Sequence, residues 1–312
     1  MKSINELLGK RILITGASGF IGSHLCRSLC SQDIEVHALS RSTNNEDNSS
    51  IRRWSGDLQD ASSVKSVLKE VKPDIIYHLA SYVTGSRFME HVLPTLYNNF
   101  VGTVHLLETA TDIGCSKIVL AGSLEEPQVG EAFTNPSSPY AAAKWASSCY
   151  ARMFHALYQT PVVIAKIFMV YGPGQDSRFL IPYVTSSFLQ EVSPQLASGK
   201  RPVDWIYVDD LVTGLLTMAI VPDLDGQTID FGSGTLVTIR KVVEHLVDII
   251  NPKVMPVFGA IADRPMEQVR VADSIASFEK LGWKTKTSLK DGLKLTTDWY
   301  RNKLNHKRAK LP

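Results

Sequence analysis

The chain contains 312 residues with a formal net charge of +2; 44% of the residues are hydrophobic and 21% are charged. This length is sufficient for one large α/β domain with a smaller lobe, and the composition is that of an ordinary globular protein. The small net charge, together with the lack of a long apolar stretch or an apolar leader in residues 1–10, predicts a cytoplasmic protein whose partners are neither nucleic acids nor membranes.

A predicted buried strand and a glycine-rich turn open the chain. Residues 11–15 are rich in β-branched side chains, and residues 23–30 have helical periodicity. Between them lies the pattern G-x-x-G-x-x-G, which allows a tight turn and close approach of the backbone to a pyrophosphate. The following helix would direct its free N–H groups and positive dipole end at that pyrophosphate. The pattern predicts a dinucleotide site formed by Gly16, Ser18, Gly19, Phe20, Ile21 and Gly22.

The end of the second predicted strand, at residues 35–39, indicates which dinucleotide binds. NAD sites usually have an Asp or Glu here, which accepts hydrogen bonds from the ribose 2′-OH. Ser40 and Arg41 stand at this point instead, and the next acid is Glu46. Because a guanidinium pairs with a 2′-phosphate and a serine hydroxyl can donate to it, these residues favour NADP(H) over NAD(H). The alternative interpretation of Arg41 is a solvated loop residue.

Apolar strand-like runs alternate with helical stretches up to about residue 170. The further runs lie at 53–57, 75–80, 117–121 and 162–167. This alternation is typical of an α/β fold with a doubly wound parallel sheet of the Rossmann type. Beyond residue 170, Gly, Pro and short segments become more frequent, which predicts a smaller C-terminal lobe. We expect a dinucleotide-binding domain at 1–170 and a mainly substrate-binding lobe at 171–312, interleaved with the core.

The four cysteines do not form a metal-binding pattern. Cys26 and Cys30 lie one helical turn apart, while Cys115 and Cys149 are isolated, and there is no C-x-x-C spacing or pair of histidines. Buried free thiols in a reducing compartment explain these residues best. The sequence therefore predicts no metal site.

An acid/base pair follows the fifth predicted strand. Tyr140 and Lys144 form the pattern Y-x-x-x-K, which places both side chains on one helix face, one turn apart. A free tyrosine, with a pKa near ~10, is a poor base at neutral pH. A lysine charge, together with the positive nicotinamide ring of an oxidised cofactor, would stabilise its phenolate. We therefore predict that Tyr140 is the acid/base, and that Lys144 lowers its pKa and holds the ribose of the nicotinamide.

A series of landmarks recurs in one order along the whole chain. They are the glycine loop, 56–58, 78–80, 99–103, the Tyr140/Lys144 pair, 171–174, 205–210, 231–234 and 281–283. With these landmarks the chain resembles the extended short-chain dehydrogenase/reductases that act on nucleotide sugars. Asp57 and Asn99 could instead cap helix ends. The resemblance implies that the dinucleotide also contacts Asp57, Leu58, Leu79, Ala80, Ser81, Asn99, Tyr140 and Lys144.

The loop at 120–127 bears on the type of reaction. By the resemblance, Ser123 hydrogen-bonds the reacting oxygen, and Glu125 matches a catalytic glutamate of dehydratase and decarboxylase members. Those members usually read Thr-Asp-Glu or Thr-Ser-Glu, whereas Leu124 cannot act as an acid. The run Gly-Ser-x-Glu-Glu is more similar to that of NADPH-dependent 4-keto-6-deoxyhexose reductases. Glu125 and Glu126 could also be solvated or capping residues.

Three functional hypotheses follow. The leading one is an NADP(H)-dependent reductase of a nucleotide-activated 4-keto-6-deoxy sugar, which takes its hydride from NADPH and its proton from Tyr140. The alternative is a nucleotide-sugar C4 epimerase or 4,6-dehydratase that retains its NAD(P) tightly. A catalytically silent dinucleotide sensor is a third, but it would have no need for Ser123, Tyr140 and Lys144 together.

The substrate residues match the resembled family only in part. Met169 and Val203 stand where many relatives have Asn and Arg near the nucleotide diphosphate. The predicted partners are a nucleotide-sugar substrate and, by the resemblance, a second copy of the chain in a homodimer. The residues that we expect at the substrate are Val83, Thr84, Arg178 and Arg264, of which the last matches an arginine that holds the diphosphate.

Overall fold

A computed structural model describes residues 4–30, 34–41, 50–127 and 135–308. Glu46, the first acid after the second strand, lies outside the described residues. The chain divides into two compact units, each assembled from three segments. The first unit comprises Met1–Ile167, Val212–Asp230 and Ala276–Trp283, and the second comprises Phe168–Leu211, Phe231–Ile275 and Lys284–Pro312.

Strands and helices alternate through the first segment. Its strands are β1 Arg11–Thr15, β2 Glu35–Ser40, β3 Ile51–Ser55, β4 Ile75–His78, β5 Lys117–Ser123 and β6 Val162–Ile167. Its α-helices are α1 Phe20–Cys30, α2 Ala61–Val71, α3 Val92–Thr95, α4 Gly102–Ile113 and α5 Pro139–Tyr158. Short 3₁₀ helices cover Ile4–Leu7 and Met89–His91, and a π-helix covers Leu96–Val101.

Shorter elements dominate the rest of the chain. The strands there are β7 Met169–Tyr171, β8 Gln195–Leu196, β9 Pro202–Tyr207, β10 Thr228–Phe231, β11 Leu236–Thr238 and β12 Val257–Phe258. The helices are α6 Leu180–Leu189, α7 Val208–Ile220, α8 Ile239–Ile250, α9 Ser274–Leu281 and α10 Leu289–Arg308.

One seven-stranded sheet organises the first unit, in the order β10-β6-β5-β4-β1-β2-β3. From β3 to β6 neighbouring strands pair in parallel, and Ile12 of β1 lies opposite both Val36 and Ile75. The strand order reverses between β1 and β4, so the carboxyl ends of these two strands border the crevice in which such sheets bind ligands. The predicted doubly wound sheet of the Rossmann type is confirmed.

The core of the first unit lies between this sheet and helices α2, α4 and α5. Leu13, Ile76 and Ile118 are buried on the strands and belong to the same cluster as Leu68 and Leu106 on the helices. Strands that are covered on both faces consist of nearly continuous apolar runs, and this explains the apolar sequences of β4, β5 and β6. The packed core leaves the carboxyl ends of the strands to position the functional side chains.

The second unit contains two small sheets and a buried carboxylate. Strand β9 pairs in parallel with β7 and antiparallel with β11, while β8 and β12 form a two-stranded parallel sheet. Asp204 of β9 is buried, and its carboxylate accepts hydrogen bonds from the backbone N–H groups of Ser233 at 2.6 Å, Gly234 at 3.0 Å and Ala272 at 2.9 Å. These bonds compensate the burial of its charge and join two segments of the unit, Phe168–Leu211 and Phe231–Ile275.

Two predicted strand boundaries differ in the structure. The strand expected at 53–57 occupies Ile51–Ser55. The strand expected at 75–80 ends at His78. The N–H of Leu79 still donates to the carbonyl oxygen of Thr15 at 3.3 Å, but the N–H of Ala80 leaves the ladder and donates to the side-chain Oγ1 of Thr15 at 3.2 Å. The residues after β4 therefore turn toward the end of β1.

Candidate active site

The turn after β1 brings glycines into close backbone contact. Gly16 has a φ of +71°, and a Cβ at this position would lie 2.7 Å from the backbone nitrogen of Ala80. A Cβ on Gly22 would lie 2.2 Å from the carbonyl oxygen of Gly16. A side chain at either position would therefore force apart the turn, the end of β4 and the first turn of α1.

The same turn leads directly into the N-terminus of α1. The N–H of Gly19 donates to the Gly16 carbonyl at 3.0 Å, and α1 begins at Phe20. The first N–H groups of a helix have no partner within the helix, and they lie at its positive dipole end. Ser18 and Gly19 are exposed at this point. A glycine cradle that a Cβ would fill, beside a helix N-terminus, fits the diphosphate of a dinucleotide.

A chain of hydrogen bonds joins β1, β4 and α4. Thr103 Oγ1 donates to the Asn99 carbonyl oxygen at 2.5 Å, so it accepts the 2.9 Å hydrogen bond from His78 Nε2. His78 Nδ1 then accepts from Thr15 Oγ1 at 2.7 Å. Burial lowers the pKa of His78 to about 3, and the Lys144 charge acts in the same direction. His78 is therefore a neutral link between the crevice strands.

The Asn99 side chain holds the loop that follows β4. Its Oδ1 accepts from the Tyr82 N–H at 2.6 Å, and its Nδ2 donates to the Tyr82 carbonyl at 3.1 Å. Asn99 is buried within the π-helix Leu96–Val101, and the Ser147 hydroxyl of α5 donates to its carbonyl oxygen at 2.8 Å. Single π-helical turns often occur at functional sites. This one places the amide against the loop that begins at Ser81.

Helix α5 begins where the acid/base pair requires it. Ser138 caps the helix by accepting from the Ala141 N–H at 3.1 Å, and Pro139 occupies its first turn. The cap places Tyr140 in the first turn and Lys144 one turn later on the same face. The capped N-terminal part of α5 therefore positions both side chains.

Two hydroxyls and two carboxylates surround the Tyr140 phenol. Burial is the largest effect and raises the pKa of Tyr140 to about 12; the Ser123 hydroxyl lowers it, Glu126 and Glu125 raise it further, and the Ser81 hydroxyl lowers it. In the protein alone, the charges that act on the phenol are negative, and burial disfavours the phenolate. The lowered pKa predicted for the complex with an oxidised cofactor stays a prediction.

The charge of Lys144 is influenced by the carboxylate of Glu126. Lys144 is buried, and its Nζ donates to the carbonyl oxygen of Ala121. Burial lowers the pKa of Lys144, and the carboxylate of Glu126 raises it. The lysine is therefore held in place by β5, and its predicted action on the phenol and on the nicotinamide ribose stays a prediction.

The loop after β5 fixes the first of its two glutamates. The Glu125 N–H donates to Ser123 Oγ at 3.2 Å, and its carboxylate accepts from Ser137 Oγ at 2.5 Å. Leu124 between them is buried. The Glu125 carboxylate therefore bridges to the segment just before α5. Its predicted catalytic role stays a prediction.

The residues predicted at the adenosine end lie on β2 and just after β3. The carbonyl oxygen of Ser40 accepts from the Gly56 N–H at 3.0 Å, and Arg41 is exposed immediately after β2. Asp57 Oδ1 accepts from the Gln59 N–H at 3.0 Å and so stabilises a turn, while Asp60 is the residue that caps α2. Ser40 and Arg41 are therefore positioned at the carboxyl end of a strand next to β1.

Three apolar residues line the same edge of the sheet. Leu58, Leu79 and Ala80 are half-buried. A Cβ on Gly102 would lie 3.0 Å from the Leu58 Cβ, so the start of α4 packs closely on that side chain. Leu79 and Ala80 pass directly over Gly16. These positions are consistent with the predicted cofactor contacts, which stay predictions.

The predicted substrate residues fall in both units. Val83 and Thr84 follow β4 in the first unit; Val83 is exposed, and Thr84 Oγ1 accepts from the Ser86 N–H at 3.1 Å. Arg178 and Arg264 are exposed in the second unit. Arg178 forms an ion pair with its neighbour Asp176 at 3.1 Å.

No group of three or more His, Cys, Asp or Glu side chains is arranged to hold a metal ion in the ranges that the structure describes. The four cysteines are free thiols. A search of the same residues for a helix with the length and apolarity needed to cross a membrane found none.

The sequence profile of the "NAD dependent epimerase/dehydratase family" matches residues 12–231. The chain belongs to this family. One relative is the dTDP-D-glucose 4,6-dehydratase of Mus musculus, which is 26% identical over 321 residues that cover 95% of this chain and 90% of the relative. The predicted membership of the extended short-chain dehydrogenase/reductases is thereby confirmed, whereas the finer similarity of the 120–127 loop to reductases stays a prediction.

Solved structures of two UDP-glucose 4-epimerases resemble this family member over most of its length. The Thermotoga maritima enzyme with UDP-glucose has a TM-score of 0.83 and 25% identity, and the match covers 94% of this chain and 99% of that chain. The Thermus thermophilus enzyme in complex with NAD has a TM-score of 0.80 and 25% identity, covering 93% and 99% of the two chains.

Two features of the site were not predicted from the sequence. Glu126 is buried beside the Ser123 backbone, whereas the sequence left open whether it belongs to the reactive loop or is a solvated or capping residue. His78 was recognised as a landmark only, and its hydrogen bonds to Thr15 and Thr103 were not foreseen. A histidine at the end of an apolar strand was the available signal for the second feature. The first depends on the fold of the loop.

Proposed function

We propose that this family member is a nucleotide-sugar C4 epimerase. The comparisons with dehydratases and 4-epimerases favour the epimerase or dehydratase alternative over the 4-keto-6-deoxyhexose reductase. The observation that carries the choice between epimerase and dehydratase is the buried, apolar Leu124, where the resembled dehydratases have Asp or Ser. Dehydration needs one group to remove the C5 proton and another to protonate the leaving C6 hydroxyl, whereas epimerisation needs proton transfer at a single oxygen.

Epimerisation at C4 is a closed redox cycle that Tyr140 and Ser123 can serve. The nicotinamide, when bound, supplies the two-electron acceptor for the hydride that leaves C4. Tyr140 takes the proton of the C4 hydroxyl as that hydride departs, and the Ser123 hydroxyl holds the resulting carbonyl oxygen. The ketone then turns over, the hydride returns to its opposite face, and Tyr140 returns the proton to oxygen. Hydride and proton both return to the sugar, so no co-substrate is consumed.

We propose NAD(H) as the resident cofactor. Support comes from the description of the family and from the NAD complex of the Thermus thermophilus relative. The prediction of NADP(H), made from Ser40 and Arg41, does not receive that support. Glu125 becomes a catalytic residue only under the dehydratase alternative, and its hydrogen bond to Ser137 offers no further reason to include it.

The cofactor is identified by releasing it from the purified protein with acid and separating NAD from NADP. We expect NAD, and we expect Arg41→Asp to weaken NADP binding by about tenfold or more while NAD binding changes little, since one carboxylate repels a 2′-phosphate but accepts from a 2′-OH. Release of NADP from the wild-type protein would instead restore the interpretation of Arg41 as a phosphate ligand.

One assay separates the three candidate reactions by mass balance. The protein is incubated with UDP-glucose or dTDP-glucose, and the products are analysed by chromatography and mass spectrometry. Epimerisation yields the galacto isomer at unchanged mass without added cofactor. Loss of one water would instead identify a dehydratase. Substrate-dependent oxidation of added NADPH, tested with a 4-keto-6-deoxy sugar nucleotide, would identify a reductase. Lack of turnover across UDP- and dTDP-hexoses would overturn the proposed function.

The roles of the two units and of a second subunit are also proposals. We propose that residues 1–170 bind the dinucleotide and that the second unit contributes Arg264 and Arg178 to the nucleotide diphosphate of the substrate. A homodimer would form through the 3₁₀ and α3 segment and α5 of the first unit. Their exposed apolar side chains, Met89, Leu93 and Leu157 among them, support this assignment.

A further inference from the structure

A buried glutamate lies directly behind the reacting-oxygen residue Ser123. Glu126 is only 3% exposed, although it occupies a loop. Its Oε1 accepts from the Ser123 N–H at 2.7 Å, and its own N–H donates to the Ser123 carbonyl at 3.0 Å. A Cβ on Gly122 would lie 3.0 Å from Oε1, so the glycine leaves the room that this carboxylate occupies. The loop is therefore folded around the Glu126 side chain.

Two buried lysines face this carboxylate. Lys144 of α5 is 4% exposed and Lys166 of β6 is 8% exposed. The Nζ of Lys144 donates to the Ala121 carbonyl, and the Nζ of Lys166 donates to the Pro127 carbonyl at 3.1 Å. Burial raises the pKa of Glu126, and both ammonium charges act in the opposite direction by favouring its ionised form. The cluster thus contains one buried carboxylate and two buried ammonium groups that act on it electrostatically.

Such a cluster is costly unless each charge has a specific partner. Glu126 contacts Ser123 at the end of β5, and its carboxylate interacts electrostatically with Lys144 on α5 and Lys166 on β6. It therefore connects three elements whose relative positions determine the geometry of the site. Glu126 also raises the pKa of the Tyr140 phenol more than Glu125 does. No other role in the reaction accounts for this placement.

We propose that Glu126 is a positioning residue of the active site, whose carboxylate holds the Ser123 backbone and keeps a negative charge near Lys144 and the Tyr140 phenol. The proposal rests on the proposed function, because the phenol is the acid/base of the epimerisation. In this arrangement Tyr140 stays protonated until the positive nicotinamide ring of an oxidised cofactor is bound, so proton removal is confined to the complex that can also accept a hydride.

The charged and titratable groups around this pair come from four elements. Lys144 on α5, Lys166 on β6 and the Ser148 hydroxyl face Glu126. Tyr140 is faced by Glu126 itself and by Glu125 in the same loop. His78 on β4 lies within the influence of the Lys144 charge, and burial keeps it neutral.

The test follows the ionisation of residue 140 directly. The probe is 3,5-difluorotyrosine at position 140, because its phenol ionises at lower pH than that of tyrosine. Its ¹⁹F chemical shift is measured as a function of pH, with and without NAD. We expect Glu126→Gln, which keeps an acceptor for Ser123, to lower the midpoint by about one pH unit, the effect of one charge a few ångströms away. Glu108→Gln, at an exposed position of α4, is the matched control and leaves the midpoint unchanged.

A stability cycle tests the charge cluster independently. Glu126→Gln leaves Lys144 and Lys166 without their carboxylate and should lower the urea midpoint, and adding Lys166→Met should recover part of that loss. Strictly additive losses would contradict the cluster. An unchanged ¹⁹F midpoint in Glu126→Gln would overturn the proposal, because a purely structural residue alters stability alone. Neither readout needs turnover, so a lack of epimerase activity would reject the proposed function without deciding this inference.

Discussion

The Tyr140 phenol is surrounded by groups that oppose its ionisation. Burial and two carboxylates raise its pKa to about 12, and only the hydroxyls of Ser123 and Ser81 act in the other direction. A positive nicotinamide ring nearby would act against this balance. We therefore propose that the phenol is an acid in the protein alone and becomes a base when an oxidised cofactor is bound.

Removal of the Tyr140 hydroxyl should separate binding from chemistry. Tyr140→Phe keeps the ring packing, so we expect the retained NAD to remain bound and the epimerisation rate to fall by about 100-fold or more, the usual contribution of a positioned acid/base. Turnover of UDP-glucose and the content of bound NAD are measured on the same preparation. Turnover at the wild-type rate would contradict the assignment of the acid/base.

The neutral state of His78 makes stability depend on pH. The folded-state pKa is lowered to about 3, whereas an unfolded histidine titrates near about 6.5. The unfolded chain thus binds a proton that the folded chain excludes, so the stability from His78 is complete above about pH 6.5 and is lost as the pH falls toward 3, by about 1.4 kcal/mol per pH unit.

Urea unfolding of wild type and His78→Gln tests this dependence. As the pH is lowered from about 6 to about 4, the free energy of unfolding should fall less steeply for the variant than for the wild type. The difference in slope should correspond to the uptake of about one proton on unfolding. Above about pH 8 the gap between the two proteins should be constant, which serves as the internal control. Parallel curves throughout the acid range would show that His78 does not carry the predicted proton linkage.

At the residue scale, the sequence predicted the positions of Tyr140, Lys144 and Ser123 but not their electrostatics. Spacing fixes which side chains share a helix face, and this needs no tertiary information. The sign of a pKa shift depends on burial and on charges from distant segments. Here Glu126 reaches the phenol only because its loop folds back under β5.

At the element scale, the glycine turn is defined by backbone proximity as well as by dihedral angle. Gly16 and Gly114 have nearly equal values of φ, +71° and +74°. A Cβ on Gly16 would meet the backbone of Ala80 at 2.7 Å, whereas a Cβ on Gly114 would meet nothing within 4 Å. Both positions have a φ that residues with a side chain rarely adopt, and they differ in the space available to a Cβ.

Alanine substitutions at these two glycines should therefore separate strain from steric exclusion. Gly114→Ala should cost about 1–2 kcal/mol of stability and leave cofactor binding unchanged. Gly16→Ala should cost more and should also release the bound NAD, because the turn must move away from Ala80. Cofactor content and urea midpoints are compared in both variants. Equal effects of the two substitutions would mean that the close approach has no role in binding.

The bounds of regular strands were predictable, while the special helix was not. Strands β1 and β6 occupy their predicted residues because an apolar run bounded by turn residues defines a buried strand. The π-helix Leu96–Val101 has no compositional signature. Its extra residue is stabilised by the contacts of Asn99 with Tyr82, which lie outside the helix. Likewise β4 is shorter than predicted because Thr15 binds the residues that follow it.

At the scale of the whole molecule, exposed apolar side chains indicate where a second subunit would bind. Met89 is 83% exposed in the 3₁₀ helix Met89–His91, and Leu93 and Leu157 are exposed on α3 and α5. Helices α3 and α5 contact each other, so these side chains belong to neighbouring elements. Exposed apolar side chains on neighbouring elements support the proposal of a protein–protein interface here.

Light scattering after gel filtration tests the proposed homodimer. We expect a mass of twice the 34.5 kDa of one chain for the wild type and the mass of one chain for Met89→Asp combined with Leu93→Asp, since charges would be buried in the interface. Met255→Asp, at a 64% exposed position of the second unit, is the control and should remain dimeric. A monomeric wild-type protein would contradict the proposal.

The division of the chain into interleaved units has a consequence for folding order. Strand β10, at Thr228–Phe231, is the seventh strand of the main sheet, and it follows some sixty residues of other structure after β6. A nascent chain that has emerged only to the end of β6 therefore exposes an unpaired strand edge, which is a surface prone to association with other chains. Completion of the nucleotide-binding sheet thus waits for more than two thirds of the protein to be synthesised. A fragment ending at residue 170 would be an aggregation hazard and not an independent domain.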